Sequence, residues 1–353
     1  MLRVLPIVLM LFCSFSQAKE VSGLYEARVL VPNQQADSRE VGAQQGMLEV
    51  LHKVSGFAVD PEHPGVASAL SVADQYLYQF SYERAENLPS GESGSWLRME
   101  FGKDSILQII EQARLPRWGE NRPTVLSWIA IDKPNSGREV LTDSSDDDYF
   151  QALKEAAQRR GLPVVMPIYD LEDSIKLPIE QLWGQFSGPI LSASERYDAE
   201  SVLAARIYQD SKGIWHGKWR FFFAGREYEF VANEETLPSL MVTGLTSAGE
   251  VLANAFALKP GADQKGRVSV QINGIKSISD YAKIEQYLDK LAITRSVFVS
   301  EVAKDKVFFD LDLSGTLQQL QQTLSLDKRL APDESTEDER LRGPKLLFFR
   351  WQP

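Results

Sequence analysis

The chain has 353 residues, 43% of them hydrophobic and 25% charged, which is enough for two or three domains that each bury a core. Its formal net charge is −11, and its basic residues form no stripe, so the sequence argues against a nucleic-acid partner and an anionic membrane surface. Three histidines and one cysteine leave little material for metal or thiol chemistry.

Residues 1–18 carry the pattern of a cleaved export signal. Arg3 supplies a basic start, residues 4–15 an apolar stretch, and Ser16-Gln17-Ala18 a small-x-small cleavage site. The apolar stretch has about 12 residues, whereas a membrane-spanning helix needs roughly 20. We therefore expect an exported chain that starts near Lys19 and has no transmembrane segment. Because Cys13 leaves with the signal, thiol nucleophiles, cysteine-ligated zinc and iron–sulfur clusters are excluded.

The first predicted module covers residues 19–114 and is an α+β unit. Alternating residues predict a strand over 24–31, and a helix follows from Asp37 or Ser38 to Gly56. The predicted apolar stripe of that helix is Val41, Met47, Leu48, Leu51 and Val54. The remaining predicted elements are a helix from Pro64, strands 76–82 and 96–101 joined by a flexible loop over 89–94, and a helix over 104–113.

A Pro/Gly-rich joint over residues 115–123 leads to the second predicted module, residues 124–259. The apolar run 124–131 is typical of a central strand covered on both faces. A helix ending at Arg160-Gly161 and a second buried strand over 162–168 complete a right-handed βαβ unit. The other predicted elements are a short helix near Ile179–Trp183, strands Ser201–Gln209, Trp215–Phe223 and 227–231, and a closing helix Leu237–Phe256.

The third predicted module covers residues 266–353. Its elements follow the order strand 267–275, helix 279–291, strand 297–302, strand 307–313, helix 316–324 and strand 345–351, with an acidic loop over 331–343. The order βαββαβ is that of a ferredoxin-like module. The whole sequence thus predicts a multi-domain protein of α/β and α+β class, built from mixed-sheet modules.

No motif nominates a catalytic residue, a cofactor or a metal. His52, His63 and His216 lack the partner three or four residues away that a helical metal site uses. The sequence has no Gly-x-Ser-x-Gly elbow, no Gly-x-Gly-x-x-Gly turn and no Walker A motif. A Ser-His-Asp assembly from distant segments stays open.

Two acidic groups have simpler roles than catalysis. The run from Asp143 to Asp148 lacks the spaced ligands and central glycine of a calcium loop, so we interpret it as a loop that caps the next helix. Asp310 and Asp312 share one face of a strand, as residues on a solvent face do. Neither group supplies two carboxylates across a cleft, the arrangement of a glycosidase.

Six residues are candidates for an interface or a clamp between domains: Trp118, Arg122, Trp128, Arg196, Tyr197 and Asp198. Tryptophan and arginine are frequent anchors of binding surfaces, which favours recognition at the first domain junction. The alternative is an inter-domain clamp in which Trp118 is packed and Arg122 or Arg196 pairs with a carboxylate. The clamp is the favoured interpretation. Trp215 and Trp219 share a face of one strand and are expected to pack in the core or on the surface of the sheet.

Several motifs occur together in the first two modules: the signal peptide, Val31-Pro32 followed by Ser38-Arg39, Lys53-Val54-Ser55-Gly56, Pro116-Arg117-Trp118-Gly119, Arg122-Pro123, Trp128, Arg160-Gly161-Leu162-Pro163 and Arg196-Tyr197-Asp198. Over residues 20–260 this set resembles an exported Gram-negative family known as domain of unknown function 2066. The resemblance implies a periplasmic location and no activity or catalytic residue. The order of modules is also similar to that of exported assembly factors of flagella and secretion pores, a likeness of fold that confers no function.

The sequence favours a non-catalytic binding or assembly factor of the cell envelope over an enzyme. We expect a monomeric or weakly associating periplasmic protein whose partner is an unidentified envelope protein. The alternative is a periplasmic hydrolase that acts on an envelope polymer such as peptidoglycan, and a third option is a small-ligand receptor. A deep cleft with two carboxylates, or His216 beside a serine, favours the hydrolase; a shallow apolar patch favours the binding factor.

Overall fold

A computed structural model describes residues 21–85, 94–133, 136–145, 148–261, 267–333 and 346–352. These residues form three β-sheets with helices packed on them, which confirms the predicted mixed α/β and α+β class. Four predicted features lie wholly or mostly outside the described residues: the signal peptide over 1–18, the loop over 89–94, Asp146 with Asp147, and the acidic loop over 331–343. No helix in the described part of the chain has both the length and the apolar character of a membrane span.

The first sheet is antiparallel and three-stranded. Its strands are β1 (Glu26–Val31), β2 (Leu77–Arg84) and β3 (Ser95–Phe101). Their order is β1-β3-β2. One face is covered by helices α1 (Ala36–Ser55), α2 (Pro64–Leu70) and α3 (Lys103–Gln112), and a 3₁₀ turn, Ala73–Tyr76, leads into β2. Helix α1 ends at Gly56, whose φ of 79° and N–H bond to the His52 carbonyl form the predicted glycine C-cap.

Helix α1 approaches the sheet closely because Gly46 faces it. A Cβ at Gly46 would lie 2.5 Å from Met99 Cε and 3.1 Å from Ala27 Cβ. The prediction for Val41 is wrong, since its side chain is 54% exposed. Val41 lies seven positions before Leu48 and so shares its side of the helix, but Leu48 is itself only half-buried, and the buried face is centred on Ala43, Met47 and Val50.

The second sheet has six strands. They are β4 (Val125–Lys133), β5 (Gly137–Val140), β6 (Val164–Val165), β7 (Ser201–Gln209), β8 (Trp215–Phe223) and β9 (Arg226–Glu234). The order is β5-β4-β7-β8-β9, with β6 beside the start of β4. Strand β4 runs parallel to β6 and β7 and is buried from Val125 to Ile131, as a central strand should be.

Helices cover both faces of the second sheet. One face packs against α4 (Asp148–Arg160) and α8 (Leu237–Phe256), and the other against α5 (Leu171–Lys176), α6 (Ile179–Trp183) and α7 (Ser187–Ser194). The predicted strand over 162–168 is wrong in length, since only Val164 and Val165 pair with β4. Strand β5 occupies the rest of that edge of β4, and Pro167 has no N–H to extend the ladder.

The third sheet is ferredoxin-like with one added strand. Its strands are β10 (Arg267–Asn273), β11 (Thr294–Ala303), β12 (Lys306–Leu313), β13 (Leu330–Pro332) and β14 (Leu346–Trp351). The order is β11-β12-β10-β14-β13, and helices α9 (Ile278–Lys290) and α10 (Leu317–Ser325) connect the strands. The added strand β13 begins just before the predicted acidic loop and pairs antiparallel with β14, so β14 runs parallel to β10.

Candidate functional site

The joint residues Trp118 and Arg122 are buried and are not exposed at the surface. They are 2% and 3% exposed, and the Arg122 guanidinium lies over the Trp118 ring, 4.1 Å from its centroid. The guanidinium donates five hydrogen bonds to backbone carbonyl oxygens: Nε to Gly119 at 3.0 Å, Nη1 to Arg160 at 3.2 Å and Gly161 at 3.0 Å, and Nη2 to Lys53 at 2.6 Å and Trp118 at 3.1 Å. Arg122 therefore joins the end of α1, the joint and the end of α4.

Three of the five acceptors, the carbonyl groups of Lys53, Arg160 and Gly161, lie at helix C-termini, where carbonyl groups carry negative partial charge and lack partners within the helix. Burial, with a smaller contribution from the neighbouring Arg160 cation, lowers the pKa of Arg122 to about 9, so the group stays protonated at neutral pH. Lys53 supports the same junction, because its Nζ donates to the Glu26 carbonyl at 2.7 Å and pairs with Glu49 at 3.0 Å.

The joint also contacts the third module. Asn121 Nδ2 donates to the Tyr287 hydroxyl and to the Thr323 carbonyl, both at 3.2 Å. A Cβ at Gly119 would lie 2.7 Å from the Ala292 Cβ, so the joint backbone packs directly on that residue. Neither Trp118 nor Arg122 is accessible to a partner in this arrangement.

The second candidate group holds α5 in place. Arg196 Nη1 donates to Asp170 at 2.8 Å and to the fully buried Asp173 at 3.0 Å, so it is Arg196 that has the carboxylate partners. The Tyr197 hydroxyl donates a short hydrogen bond to Asp173. Burial, followed by that hydrogen bond, raises the pKa of Tyr197 to about 12. Trp128 is buried beneath Tyr197, with their ring centroids 5.7 Å apart.

The Asp198 side chain is exposed and contacts the third module. Lys328 Nζ donates to its carbonyl at 2.7 Å and pairs with its carboxylate. This contact links the second module to the third. The six candidates thus form two separate clusters of packing and ion-pair contacts, and they do not line a common cleft.

His216 lies between two hydrogen-bond acceptors at the turn end of the β7–β8 hairpin. Its Nε2 lies 2.9 Å from Asp210 Oδ2, and its Nδ1 lies 2.7 Å from Asn233 Oδ1. Both acceptors favour the doubly protonated imidazolium, and the hydrogen bond to Asp210 is the main cause of the raised pKa of His216. No serine contacts the ring among the described hydrogen bonds, so this is not a nucleophile–base pair.

We expect the stability of the protein to depend on pH through His216. The folded-state pKa lies above the unfolded value of about 6.5, so the contribution is complete below that value and is lost as the pH rises through the folded-state pKa. Urea unfolding at about pH 6 and about pH 8 should therefore show a larger loss of unfolding free energy in the wild type than in His216→Gln. His63→Gln, a change outside the hairpin, should keep the wild-type difference. An unchanged pH dependence in His216→Gln contradicts this assignment.

A cleft of about 760 Å³ lies where the uncovered face of the first sheet meets α4. This face is defined by alternate residues of the three strands: Glu26, Arg28, Gln79, Ser81, Glu83, Trp96, Arg98 and Glu100. Glu49 and Lys53 of α1 and Glu155, Gln158 and Arg159 of α4 complete the lining. We call this the open-face cleft.

In one half of the open-face cleft, the charged side chains form ion pairs with one another. Glu83 accepts from Arg98 at 2.9 Å and lies 3.6 Å from Arg28. The Arg28 guanidinium lies 4.2 Å from the centre of the Trp96 ring, within the range of a cation–π contact. The half-buried Trp96 ring is therefore held in the lining by a cation that covers one of its faces.

The other half carries carboxylates without partners. Glu26 and Glu100 stand directly opposite each other on β1 and β3, and Glu155 faces them from α4. Of the described residues, none forms an ion pair or hydrogen bond with these three carboxylates, and Arg159 is the cation of the lining that is likewise unpaired. Like charges on directly opposed residues are unfavourable, so this half has an excess of negative charge that a cationic ligand would neutralise. Within the described residues, no group of three His, Asp or Glu side chains could hold a metal ion.

The sequence contained a signal for this face. Polar residues alternate along all three strands, which indicates that one side of the sheet is uncovered. The position of α4 beside that face depends on contacts between modules, so the sequence pattern did not indicate a cleft.

The comparisons with known proteins identify a domain but no activity. Residues 18–119 match a family described as Domain of unknown function (DUF8605). The resemblance to domain of unknown function 2066 is therefore wrong, because the match is to a different family. No curated protein matches the chain. A solved structure titled "Crystal structure of uncharacterized protein" is similar to this chain at 7% identity and a TM-score of 0.16, over 37% of this chain and 90% of that one.

Proposed function

We propose that this protein is an exported, non-catalytic binding factor of the cell envelope, and that its ligand is a basic, extended segment of an envelope protein held in the open-face cleft. The unpaired carboxylates of Glu26, Glu100 and Glu155 are the observation that carries the proposal. Lysine or arginine side chains of a ligand would neutralise these groups. The Trp96 ring offers a flat surface for the ligand's stems or backbone, a common use of half-exposed tryptophan.

A model ligand tests the proposal. A fluorescent hexalysine peptide should bind the full chain saturably and more weakly at high salt, because exposed charges are screened. The double variant Glu26→Gln/Glu100→Gln should bind at least about tenfold more weakly, since two charge-assisted contacts are lost. Glu111→Gln on α3 removes one charge from an exposed site outside the cleft lining and serves as the control. Equal binding by the double variant and the control, or no saturable binding at all, contradicts the proposal.

One observation favours the alternative, a hydrolase. Glu26 and Glu100 are opposed on neighbouring strands, where Cβ atoms lie about 4.5–5.5 Å apart, and the two carboxyl groups of retaining glycosidases are about 5–5.5 Å apart. However, one carboxyl group of such a pair must be kept protonated by an apolar environment. Here Arg28 and Arg98 flank the pair on the same face, and the cleft is open to solvent. We therefore place binding before hydrolysis.

The same variants separate the two functions. If the protein releases soluble fragments from peptidoglycan, and Glu26→Gln and Glu100→Gln each abolish the release, the hydrolase is correct. If the wild type releases nothing and the hexalysine peptide still binds, the binding factor is supported.

A further inference from the structure

Strand β2 is an edge strand of the first sheet. It pairs with β3 on one side, and no described strand lies on the other. The only irregularity in its pairing lies between Leu77 and Gln79, so residues 79–84 form a regular ladder. Tyr78 and Phe80 are 75% and 45% exposed. An aromatic, proline-free edge of this kind is a template for a further strand.

The other long edges carry more protective features than β2, which has one register shift near its start and two charged residues, Glu83 and Arg84, at its end. Strand β11 is interrupted by two register shifts, and β9 carries charged residues at four of its positions, Arg226, Glu227, Glu229 and Glu234. At the opposite edge of the first sheet, Lys53 Nζ donates a hydrogen bond to the Glu26 carbonyl of β1, so this acceptor is already used. Bulges, charges and covered ends are the usual means by which edges avoid pairing.

The hydrogen bonding of β2 to β3 shows which backbone groups are free. The Ala85 N–H donates to the Gly94 carbonyl, which marks 85 and 94 as a hydrogen-bonded pair. Hydrogen-bonded pairs alternate along an antiparallel ladder, so Ser81 and Glu83 also point their backbone groups towards β3. The backbone groups of Phe80, Tyr82 and Arg84 therefore point away from the sheet.

A second β2 strand, related by a two-fold axis at Ser81, satisfies these free groups. In that register Phe80 pairs with Tyr82 of the second copy, and Arg84 lies opposite Tyr78, the residue at the register shift; each contact occurs twice. The contacts are then aromatic with aromatic and aromatic with guanidinium, both of which stabilise cross-strand pairs. On the other face, Gln79 lies opposite Glu83, an amide donor beside a carboxylate.

We propose that the chain self-associates through β2, forming a two-fold dimer with one continuous six-stranded sheet centred on Ser81. The axis is perpendicular to the sheet, so both open-face clefts lie on the same side of it. A single strand pair buries less surface than a standard interface of about 1,600 Å², so association should be weak and should depend on concentration. The inference stands apart from the proposed ligand of the cleft.

Cysteine cross-linking tests the register. With Cys13→Ser in the full chain, Ser81→Cys is the only thiol, and its two copies form a non-hydrogen-bonded pair with Cα atoms about 4.5 Å apart, within the range of a disulfide. Mild oxidation should therefore yield a covalent dimer. Gln79→Cys is the matched control, because its two copies would lie four residues out of register, about 13 Å apart.

Charge reversal tests the contact without cross-linking. Tyr78→Lys places two lysines opposite two arginines and should weaken the dimer at least about tenfold in sedimentation velocity. Tyr78→Lys/Arg84→Glu replaces that repulsion with ion pairs and should restore the dimer. Both residues are exposed, so the monomer should keep its fold, which circular dichroism checks. A wild type that stays monomeric up to ~100 µM, above the range of a weak interface, overturns the proposal; so does equal cross-linking through residues 79 and 81, or no rescue in the double variant.

Discussion

Replacing Arg122 with methionine should lower the unfolding free energy by about 3–5 kcal/mol, one of the two largest effects that we expect. Methionine keeps most of the length of the side chain and removes every donor. Five carbonyl oxygens of α1, the joint and α4 then lose a partner in a site from which water is excluded. Each buried acceptor left without a partner costs about 1–3 kcal/mol, and local rearrangement offsets part of the sum.

Urea unfolding followed by tryptophan fluorescence measures this loss. Arg159→Met is the matched control, since Arg159 is exposed on the same helix as Arg160, and such a surface change should stay within about 0.5 kcal/mol. Arg122→Lys should destabilise the protein nearly as much as methionine, because one ammonium group cannot reproduce the planar fork of donors. A loss below about 1 kcal/mol in Arg122→Met means that the carbonyls find other partners and that Arg122 is not the clamp.

The behaviour of Arg122 shows what residue type alone can predict. Its position between Trp118 and a proline in a Pro/Gly-rich joint indicated a clamp or an interface, but its acceptors are main-chain oxygens that every residue possesses. No residue type in the sequence therefore identifies these main-chain acceptors. Arg196 differs, because its acceptors are the carboxylates of Asp170 and Asp173, residue types that a sequence does display.

Local signals predicted the elements well where capping residues or an alternating pattern mark the bounds of the element in the sequence. Helix α8 has the bounds expected from the sequence, since Thr236 caps its start through the Ser239 N–H and a proline follows in the first turn. Strand β8 likewise has its predicted bounds, because it alternates buried and half-buried residues along most of its length. The predicted strand over 162–168 is longer than β6. Strand β5 pairs with the same edge of β4, and this pairing cannot be read from the residues of β6 alone.

The open-face cleft shows the same limit at the level of function. The polar alternation of β1, β2 and β3 could be read from the sequence, but the contact that brings α4 beside them joins residues more than fifty positions apart. Glu155 and Arg159 look like ordinary surface residues of an amphipathic helix. Their place in the lining follows from how Arg122 and Arg160 fix the end of α4 against α1.

Substituting Gly244 of α8 with alanine should destabilise the protein by about 1–3 kcal/mol, although glycine in a helix interior normally costs stability relative to alanine. A Cβ at Gly244 would lie 2.3 Å from Trp219 Cε2 and 2.4 Å from its Cζ2. The indole is fully buried, and its Nε1 packs closely on Gly217, where a Cβ would lie only 2.6 Å away. The ring therefore has little space into which it could move. Either the helix or the strand must shift, and overpacking then outweighs the gain in helix propensity.

Gly249, five residues later on the same helix, is the matched control. A Cβ there would lie 3.4 Å from Leu162 Cδ1, an ordinary contact, so Gly249→Ala should stabilise the protein by about 0.5–1 kcal/mol. Thermal unfolding of the two variants should therefore move in opposite directions from the wild type. Adding Trp219→Leu to Gly244→Ala should cost less than the sum of the two single changes, because the smaller side chain removes the clash. If the two changes are additive, the effect of Gly244→Ala does not arise from contact with the indole. The close packing of α8 on β8 would then not be the reason that position 244 requires glycine.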